Sequence, residues 1–415
     1  MTMNQTECPY IPRPLYLQQI EPHIGSPVIK VITGQRRVGK SYMLLQIADR
    51  IRAADPKAQI LHINIPRDRF RIPIGTSKEL FQYIDTWYDT HTHHKVVMLD
   101  EVQEIPQFEE TIAALVESGG YDMYITGSNS HLLSGDLATL ISGRYTTITI
   151  HSLSYPEFLQ FHALGDDNSS LGLYLRYGGL PYLSNLSLSD EQAILAYFQT
   201  IEDTILLNDI VNAHKGSSTN FFRYLIRFLA DSVGSPISAN SIARYLKNQH
   251  LQLSVPTVLS YLESVVRAFL VHRTEFIDIS GKELLDISSK YYFEDIGIRN
   301  HLVNGFAPKD RAKIIENTVY LSLAQQGWTI RTGRMSCDKE IDFVATHGNK
   351  KVYVQVCEQF SSPKKIESEF GNLLIPRDAY PRYMITMDET LDGSSQDGIK
   401  VYSLRHWLRE PITTK

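Results

Sequence analysis

Residues 34–41 read GQRRVGKS, directly after the apolar run VIKVIT (28–33) and opening into SYMLLQIADRIRAA (41–54). The spacing fits G-x-x-x-x-G-K-[ST], the P-loop pattern. The β-branched run before it predicts a buried strand, and the apolar periodicity after Lys40 predicts a helix. The loop therefore falls at a strand–helix junction, the context the pattern needs. The backbone of Gly34, Gln35, Arg36, Arg37, Val38, Gly39, Lys40, Ser41 and Tyr42 is expected to surround phosphate oxygens, aided by the positive end of the helix. Lys40 would reach the β- and γ-phosphates and Ser41 would ligate Mg²⁺, so ATP and Mg²⁺ are the expected ligands. Arg36 and Arg37 are open between phosphate contact and a solvated or structural role.

Working outward, QILHINI (59–65), KVVMLD (95–100), YDMYITG (121–127) and RYTTITI (144–150) read as further strands separated by helix-length segments. Repeated strand–helix units imply an α/β domain with a parallel sheet covered on both faces. VVMLDEVQ (96–103) ends in two acids. Asp100 is expected to hold Mg²⁺ through water, and Glu101 to orient and deprotonate the attacking water. A strand end with solvated acids is the competing reading, weakened by a P-loop at this distance. A Glu beside the Asp favours a hydrolase over a transferase. In YITGSNS (124–130), Ser128 or Asn129 is a candidate sensor of the γ-phosphate, with a simple turn as the alternative. SGRY (142–145) offers Arg144, read either as completing the site in cis or in trans from a neighbouring subunit, or as a surface arginine.

The chain has 415 residues, enough for two to four domains. Hydrophobic residues make up 43% and charged residues 21%, as in globular proteins with real cores. A net charge of −5 gives no global attraction to nucleic acid, so any such contact needs a local basic patch. Cys8, Cys337 and Cys357 show no metal-ligand spacing and fit a reduced, cytoplasmic protein. No signal pattern opens the chain and no uncharged apolar run approaches eighteen residues, so no membrane partner is expected. HTHH (91–94) reads as an exposed turn rather than a metal site.

From residue 154 the pattern turns mostly helical. The expected organisation is a P-loop ATPase domain over 1–165, a helical lid or linker over 166–214, a winged-helix domain over 215–302 and a small α/β domain over 303–415. In the third segment FFRYLIRFLADSVG, ANSIARYLKNQ and PTVLSYLESVVRAFL predict helices, the last two capped by Ser238 and by Ser254 with Pro256. FLVHRTEF and LDISSKYYFE predict a hairpin around ISGKE, which completes the element order of a winged helix. Arg244, Lys247, Arg267 and Arg273 lie there, but the third helix is mostly apolar and carries Glu263, so duplex-DNA contact and protein docking both stay open. In the tail, KIIENTVYLSLAQQG predicts a helix stopped by Gly327. WTIRTG, EIDFVAT, KVYVQVCE, YPRYMITM and IKVYSL predict strands of a second sheet.

The P-loop, the Asp-Glu strand and the polar strand end resemble the AAA-type branch of P-loop ATPases, in which the Asp-Glu strand is not next to the P-loop strand. GGLP (178–181), TIEDTILLNDIV (200–211) and YYFEDIGIRNHL (291–302) extend the resemblance to a large prokaryotic ATPase family over nearly the whole chain. That family carries an AAA domain, a winged helix and a C-terminal domain of the PD-(D/E)XK nuclease superfamily. The resemblance places Glu316, Asp342 and the Gln355-Val356-Cys357 run at the nuclease metal site. An active enzyme needs Glu-x-Lys where this chain has Gln355 and Cys357, so a binding or assembly platform is expected, with Glu340 and Asp342 vestigial or structural. The expected function is a Mg²⁺-dependent ATPase whose nucleotide state switches engagement of double-stranded DNA or a protein partner, with oligomerisation open. The alternatives are a nucleotide-responsive DNA-binding regulator with negligible turnover and an ATP-coupled DNA nuclease.

Overall fold

A computed structural model describes residues 10–88, 94–129, 139–205, 219–279, 288–305, 310–335, 339–360, 363–410 and 412. The chain forms two compact units, Met1–His151 and Ser152–Lys415. The first unit therefore ends earlier than the boundary at 165 read from the sequence, and the helix Tyr155–His162 belongs to the second unit.

The first unit is built on strands β1 (Ile29–Thr33), β2 (Gln59–Asn64), β3 (Lys95–Asp100), β4 (Tyr121–Gly127) and β5 (Tyr145–Thr149). They form an all-parallel sheet in the order β2-β3-β4-β1-β5. β3, which carries the two acids, is thus separated from the P-loop strand by β4. Strands buried on both faces need unbroken apolar runs, and β1 is buried at all five positions. One face packs Val97, Leu99, Val31 and Ile125 against Leu80, Ile84, Ile112 and Leu115 of the helices Ser77–Trp87 and Phe108–Ser118. Thr76 and Glu79 close a capping box that fixes where the first of these helices starts.

The second unit begins with helices Tyr155–His162, Asn168–Tyr177 and Glu191–Thr204. Three more follow, Thr219–Asp231, Ala239–Asn248 and Val255–Arg267, the latter two capped by Ser238 and Ser254 as their sequences predict. Strands β6 (Val271–Thr274) and β8 (Lys290–Phe293) then pair antiparallel. Between them β7 (Phe276–Asp278) departs from the expected hairpin and pairs in parallel with β9 (Thr329–Arg334).

The remaining strands are β10 (Glu340–His347), β11 (Lys350–Cys357), β12 (Arg382–Thr386), β13 (Ser395–Gln396) and β14 (Ile399–Ser403). With β7 and β9 they form a mixed seven-stranded sheet in the order β13-β14-β12-β11-β10-β9-β7. The helix Arg311–Gln325 ends just before Gly327, whose φ of +80° marks the left-handed turn that follows. Among the described residues no helix is long and apolar enough to cross a membrane.

GGLP and YYFEDIG, far apart in sequence, interlock inside the second unit. Asp295 is fully buried, caps the helix Ile296–Leu302 through the Ile298 N–H (3.0 Å), and also accepts from the Gly179 N–H (2.8 Å). A Cβ on Gly297 would lie 2.0 Å from the Tyr177 carbonyl oxygen, and one on Gly179 would lie 2.4 Å from that of Leu153. Only glycine permits this approach. Burial pushes the Asp295 carboxyl up to about 7 against the pull of the Gly179, Ile298 and Gly297 N–H groups.

Candidate functional site

The P-loop bridges β1 and the helix Lys40–Ala54. It turns through three positive φ values, 142° at Gly34, 71° at Arg37 and 101° at Gly39. A Cβ on Gly34 would sit 2.2 Å from the Ile150 carbonyl oxygen, so the loop can pass β5 only as glycine. Gly39 caps the helix, which places Lys40 and Ser41 in its first turn.

Lys40 is buried, and its ammonium donates to the Gly34 and Gln35 carbonyls, each at 3.0 Å. It also lies 3.7 Å from a Glu101 carboxylate oxygen. Gln35 is fully buried, while Arg37 and Tyr42 are exposed and Arg36 and Ser41 are half-buried.

Asp100 ends β3, fully buried, and both its oxygens are held. Thr126 donates its hydroxyl to one at 2.6 Å and Asn64 its amide to the other at 2.7 Å. Glu101 follows in the left-handed region (φ 57°), and its N–H donates to the same Thr126 hydroxyl at 2.9 Å. One side chain of β4 thus fixes both acids of β3. Burial opposes ionisation of Glu101. The Lys40 ammonium, the Gln103 amide, Arg36 and Ser128 outweigh it and hold the carboxyl below its ordinary value. This is the charge state a base requires.

The structure brings together the loop 34–42, Lys40, Ser41, Asp100, Glu101 and Ser128, all at the C-terminal edge of the parallel sheet. Asn129 is half-buried, two residues beyond β4. Arg144 is not among them. It is exposed and precedes β5, whose register pairs Tyr145 with Ile29 at the start of β1. Five residues at ~3.3 Å each put it roughly 16 Å from the P-loop edge, so a role in cis does not fit this placement. Arg144 lies at the start of β5, whereas ligands of parallel sheets sit at the carboxyl ends of the strands.

Thr126, Asn64 and Arg13 are functional neighbours that the sequence reading missed. Arg13, buried, donates to the Val38 carbonyl inside the P-loop at 3.0 Å, and its own N–H donates to Gln46 at 2.9 Å. Thr126 lies inside YITGSNS (124–130), but nothing local marks it, because its contacts depend on β3 lying beside β4.

Of the HTHH run, residues 91–93 lie outside the described residues. His94 sits 3.2 Å from Asp55 and 3.3 Å from Asp122, engaged with carboxylates. Cys357 is buried, its thiol directed at the Gln359 carbonyl, while Cys8 and Cys337 lie outside the described residues.

In the second unit, Asp342 lies where β10 shifts register against β9 between Ile341 and Val344, a bulge that re-aims side chains. Asp342 accepts from the Val356 N–H at 2.8 Å, and the Gln355 amide oxygen accepts from the Asp342 N–H at 3.2 Å. Gln355 in turn donates to Glu369 at 2.9 Å. A cation does lie among the acids, but it is the buried ammonium of Lys290 from β8. It stands 3.5 Å from Glu316, 3.2 Å from Glu340 and 4.0 Å from Asp342. Burial disfavours the Lys290 charge, but these carboxylates reverse the balance and raise its pKa. Burial and the Glu316 charge push Asp342 well above the carboxylate range despite Lys290.

Among the basic residues singled out in the three-helix segment, Arg244, Lys247 and Arg267 are exposed. Arg273 is paired with Glu263 (2.8 Å) and Glu275 (3.6 Å).

Residues 26–159 match the family model described as AAA domain, and residues 168–309 match one described as Domain of unknown function (DUF8612). The second model spans the helical segment and the three-helix segment as one stretch. An uncharacterized protein of Haemophilus influenzae is 33% identical over 405 residues, covering 96% of this chain and 98% of that protein. An uncharacterized protein of Methanocaldococcus jannaschii is 27% identical over 352 residues, covering 81% of this chain and 76% of its own. Among solved structures, the Walker-type ATPase of Pyrococcus abyssi superposes with a TM-score of 0.48 at 14% identity, covering 69% of this chain and 93% of that one. With the AAA match lying on the P-loop unit and a relative aligned along nearly its whole length, this chain belongs to the same family as the Haemophilus influenzae protein, a family of AAA-type P-loop ATPases.

Proposed function

We propose that the chain is a Mg²⁺-dependent ATPase whose nucleotide state changes how its second unit engages a DNA or protein partner. The observation that carries this is the convergence of Lys40, Asp100 and Glu101 on a glycine loop at the head of one helix. The amides of residues 34–42 would hold phosphates, with Lys40 at the β- and γ-positions. Ser41 and Asp100 would hold the metal, which supplies charge neutralisation at the transferred phosphoryl group. Glu101 would accept a proton from the attacking water, and its lowered pKa keeps it ionised for that task. Ser128 and Asn129 are the residues to test for sensing the γ-phosphate.

The test is ATP turnover by the full chain, with and without double-stranded DNA. Lys40→Ala should weaken nucleotide binding. Glu101→Gln should slow hydrolysis by roughly 10²–10⁴-fold while sparing binding. Unchanged turnover in both variants would overturn the assignment.

A second reading, a DNA-binding regulator with negligible turnover, draws support from the three helices followed by the β6–β8 pair and from exposed Arg244, Lys247 and Arg267. Salt-dependent duplex binding, weakened by changing Arg244 and Lys247 in a protein without turnover, would favour it. For the C-terminal sheet, a binding or assembly platform is the better reading than a nuclease. Gln355 and Cys357 replace the expected Glu and Lys, and the Lys290 ammonium already sits among the carboxylates. Metal-dependent nicking abolished by Asp342→Ala would reverse that conclusion.

A further inference from the structure

At the start of β11, β12 and β14, the far end of those strands from Gln355 and Cys357, the second unit opens a cleft of about 890 Å³. Its walls combine two kinds of side chain. Lys350, Lys351, Lys400 and Arg409 supply cations, against Glu410 as the lining acid. Tyr380, Tyr402 and Tyr383 supply rings. Tyr383 and Tyr402 stack at 6.0 Å and 24°, and Tyr380 is 42% exposed. The strand register explains the grouping, because Tyr383 pairs with Lys400 and Tyr402 follows two residues on, so all three face the same side of the sheet.

The charges are not all equally available. Lys351 pairs with Asp378 at 3.3 Å, and its ammonium lies over the Tyr353 and Tyr380 rings at 4.7 and 5.1 Å. Arg409 pairs with Asp166 at 2.7 Å. Lys400 is exposed and has no side-chain partner among the described residues. The cleft therefore offers an open cation beside the exposed Tyr380 ring and the half-buried Tyr402 ring, with Tyr383 buried behind them.

We propose that this cleft binds single-stranded nucleic acid, with bases against Tyr380 and Tyr402 and the backbone along Lys350 and Lys400. Stacking rings interleaved with ammonium groups suit a strand whose base faces are free. A duplex hides those faces inside its stack and presents mainly phosphate to the cations. The chain's overall charge of −5 makes such a local patch the means by which an anionic polymer is held. The proposal rests on the reading above only in placing a partner on the second unit, and it is independent of ATP turnover.

The experiment is fluorescence anisotropy of a short labelled oligo-dT titrated with the full chain at low salt, beside the duplex of the same length. Saturable binding that weakens as salt rises is expected. Tyr380→Ala and Lys400→Glu, both surface changes, should each reduce affinity by about tenfold or more while keeping the wild-type melting temperature and ATP turnover. Duplex binding as tight as the single strand and weakened equally by these two changes, no binding of the strand, or variants that bind the strand as wild type would each overturn the proposal. Strand binding by a protein without ATP turnover would leave the cleft assignment standing and remove only the ATPase reading.

Discussion

Thr126 shows how much of the nucleotide site depends on a single hydroxyl. It donates to Asp100 and accepts from the Glu101 N–H, so it positions both the expected metal ligand and the expected base. Thr126→Val keeps the shape of the side chain but removes both bonds, leaving a buried carboxylate oxygen and a backbone N–H unpaired. The expected cost is about 1–3 kcal/mol of stability of the first unit, together with slowed turnover. Thr126→Ser should restore both, since it keeps the hydroxyl, and thermal melts with steady-state turnover check the pair. A Thr126→Val protein as active and stable as the wild type would show that the two acids hold themselves. None of this could be read from the sequence, because a threonine in a strand is ordinary until its neighbours are known. GQRRVGKS and LDE were legible because their spacing is local. Asn64 and Thr126 act across crossovers and Arg13 from ahead of β1, from positions 36, 26 and 25 residues away from their partners.

At the scale of elements, the strands of the first unit and the helices of the second were legible because continuous apolar runs and capped amphipathic segments declare themselves within a few residues. The three-residue β7 and two-residue β13 were not, since so short a strand has no period of its own and exists only through its pairing. The clasp between GGLP and YYFEDIG is an intermediate case: the residues stood out, but not their contact. Gly297→Ala should destabilise the second unit by about 1–3 kcal/mol, at the upper end because the new methyl meets a backbone carbonyl. Asp295→Asn should also destabilise, since an amide has one acceptor oxygen where Asp295 uses two. It should change the pH profile as well. The folded pKa of Asp295, about 7, lies above its ordinary value. Its contribution to stability is therefore fully present below the unfolded pKa and is lost as pH rises through about 7. Melting temperatures measured from acid to neutral pH should fall more steeply in the wild type than in Asp295→Asn. Parallel curves would mean that Asp295 titrates at the same pH in the folded and unfolded chain.

At the scale of the molecule, residues 152–415, which hold the helical, three-helix and C-terminal segments, form one compact unit. Lys290 gives a physical reason. It belongs to β8, the partner of β6, yet its ammonium lies among Glu316 on the preceding-sheet helix Arg311–Gln325 and Glu340 and Asp342 on β10. Tyr292, also on β8, donates to Glu316 at 2.7 Å and stacks on Tyr320 at 4.4 Å. A strand of the middle segment thus neutralises the acids of the C-terminal sheet, and separating the two would strand buried charges of opposite sign. Lys290→Met keeps the length of the side chain and removes the charge. The expected loss is about 3–5 kcal/mol, the cost of leaving one side of a buried ion pair alone. The loss should depend on pH in a definite direction. Without the ammonium, the Asp342 carboxyl, already raised above the carboxylate range by burial and the Glu316 charge, loses the cation that pulls it down, so stability is regained as pH falls and Asp342 takes up a proton. The wild-type Lys290, with its pKa raised, stays charged across the same range and contributes no such slope. Paired melts at neutral and acid pH therefore decide the matter. A deficit that narrows in acid supports Lys290 as the internal counter-ion that joins the segments, and a deficit that is absent or independent of pH would refute that role.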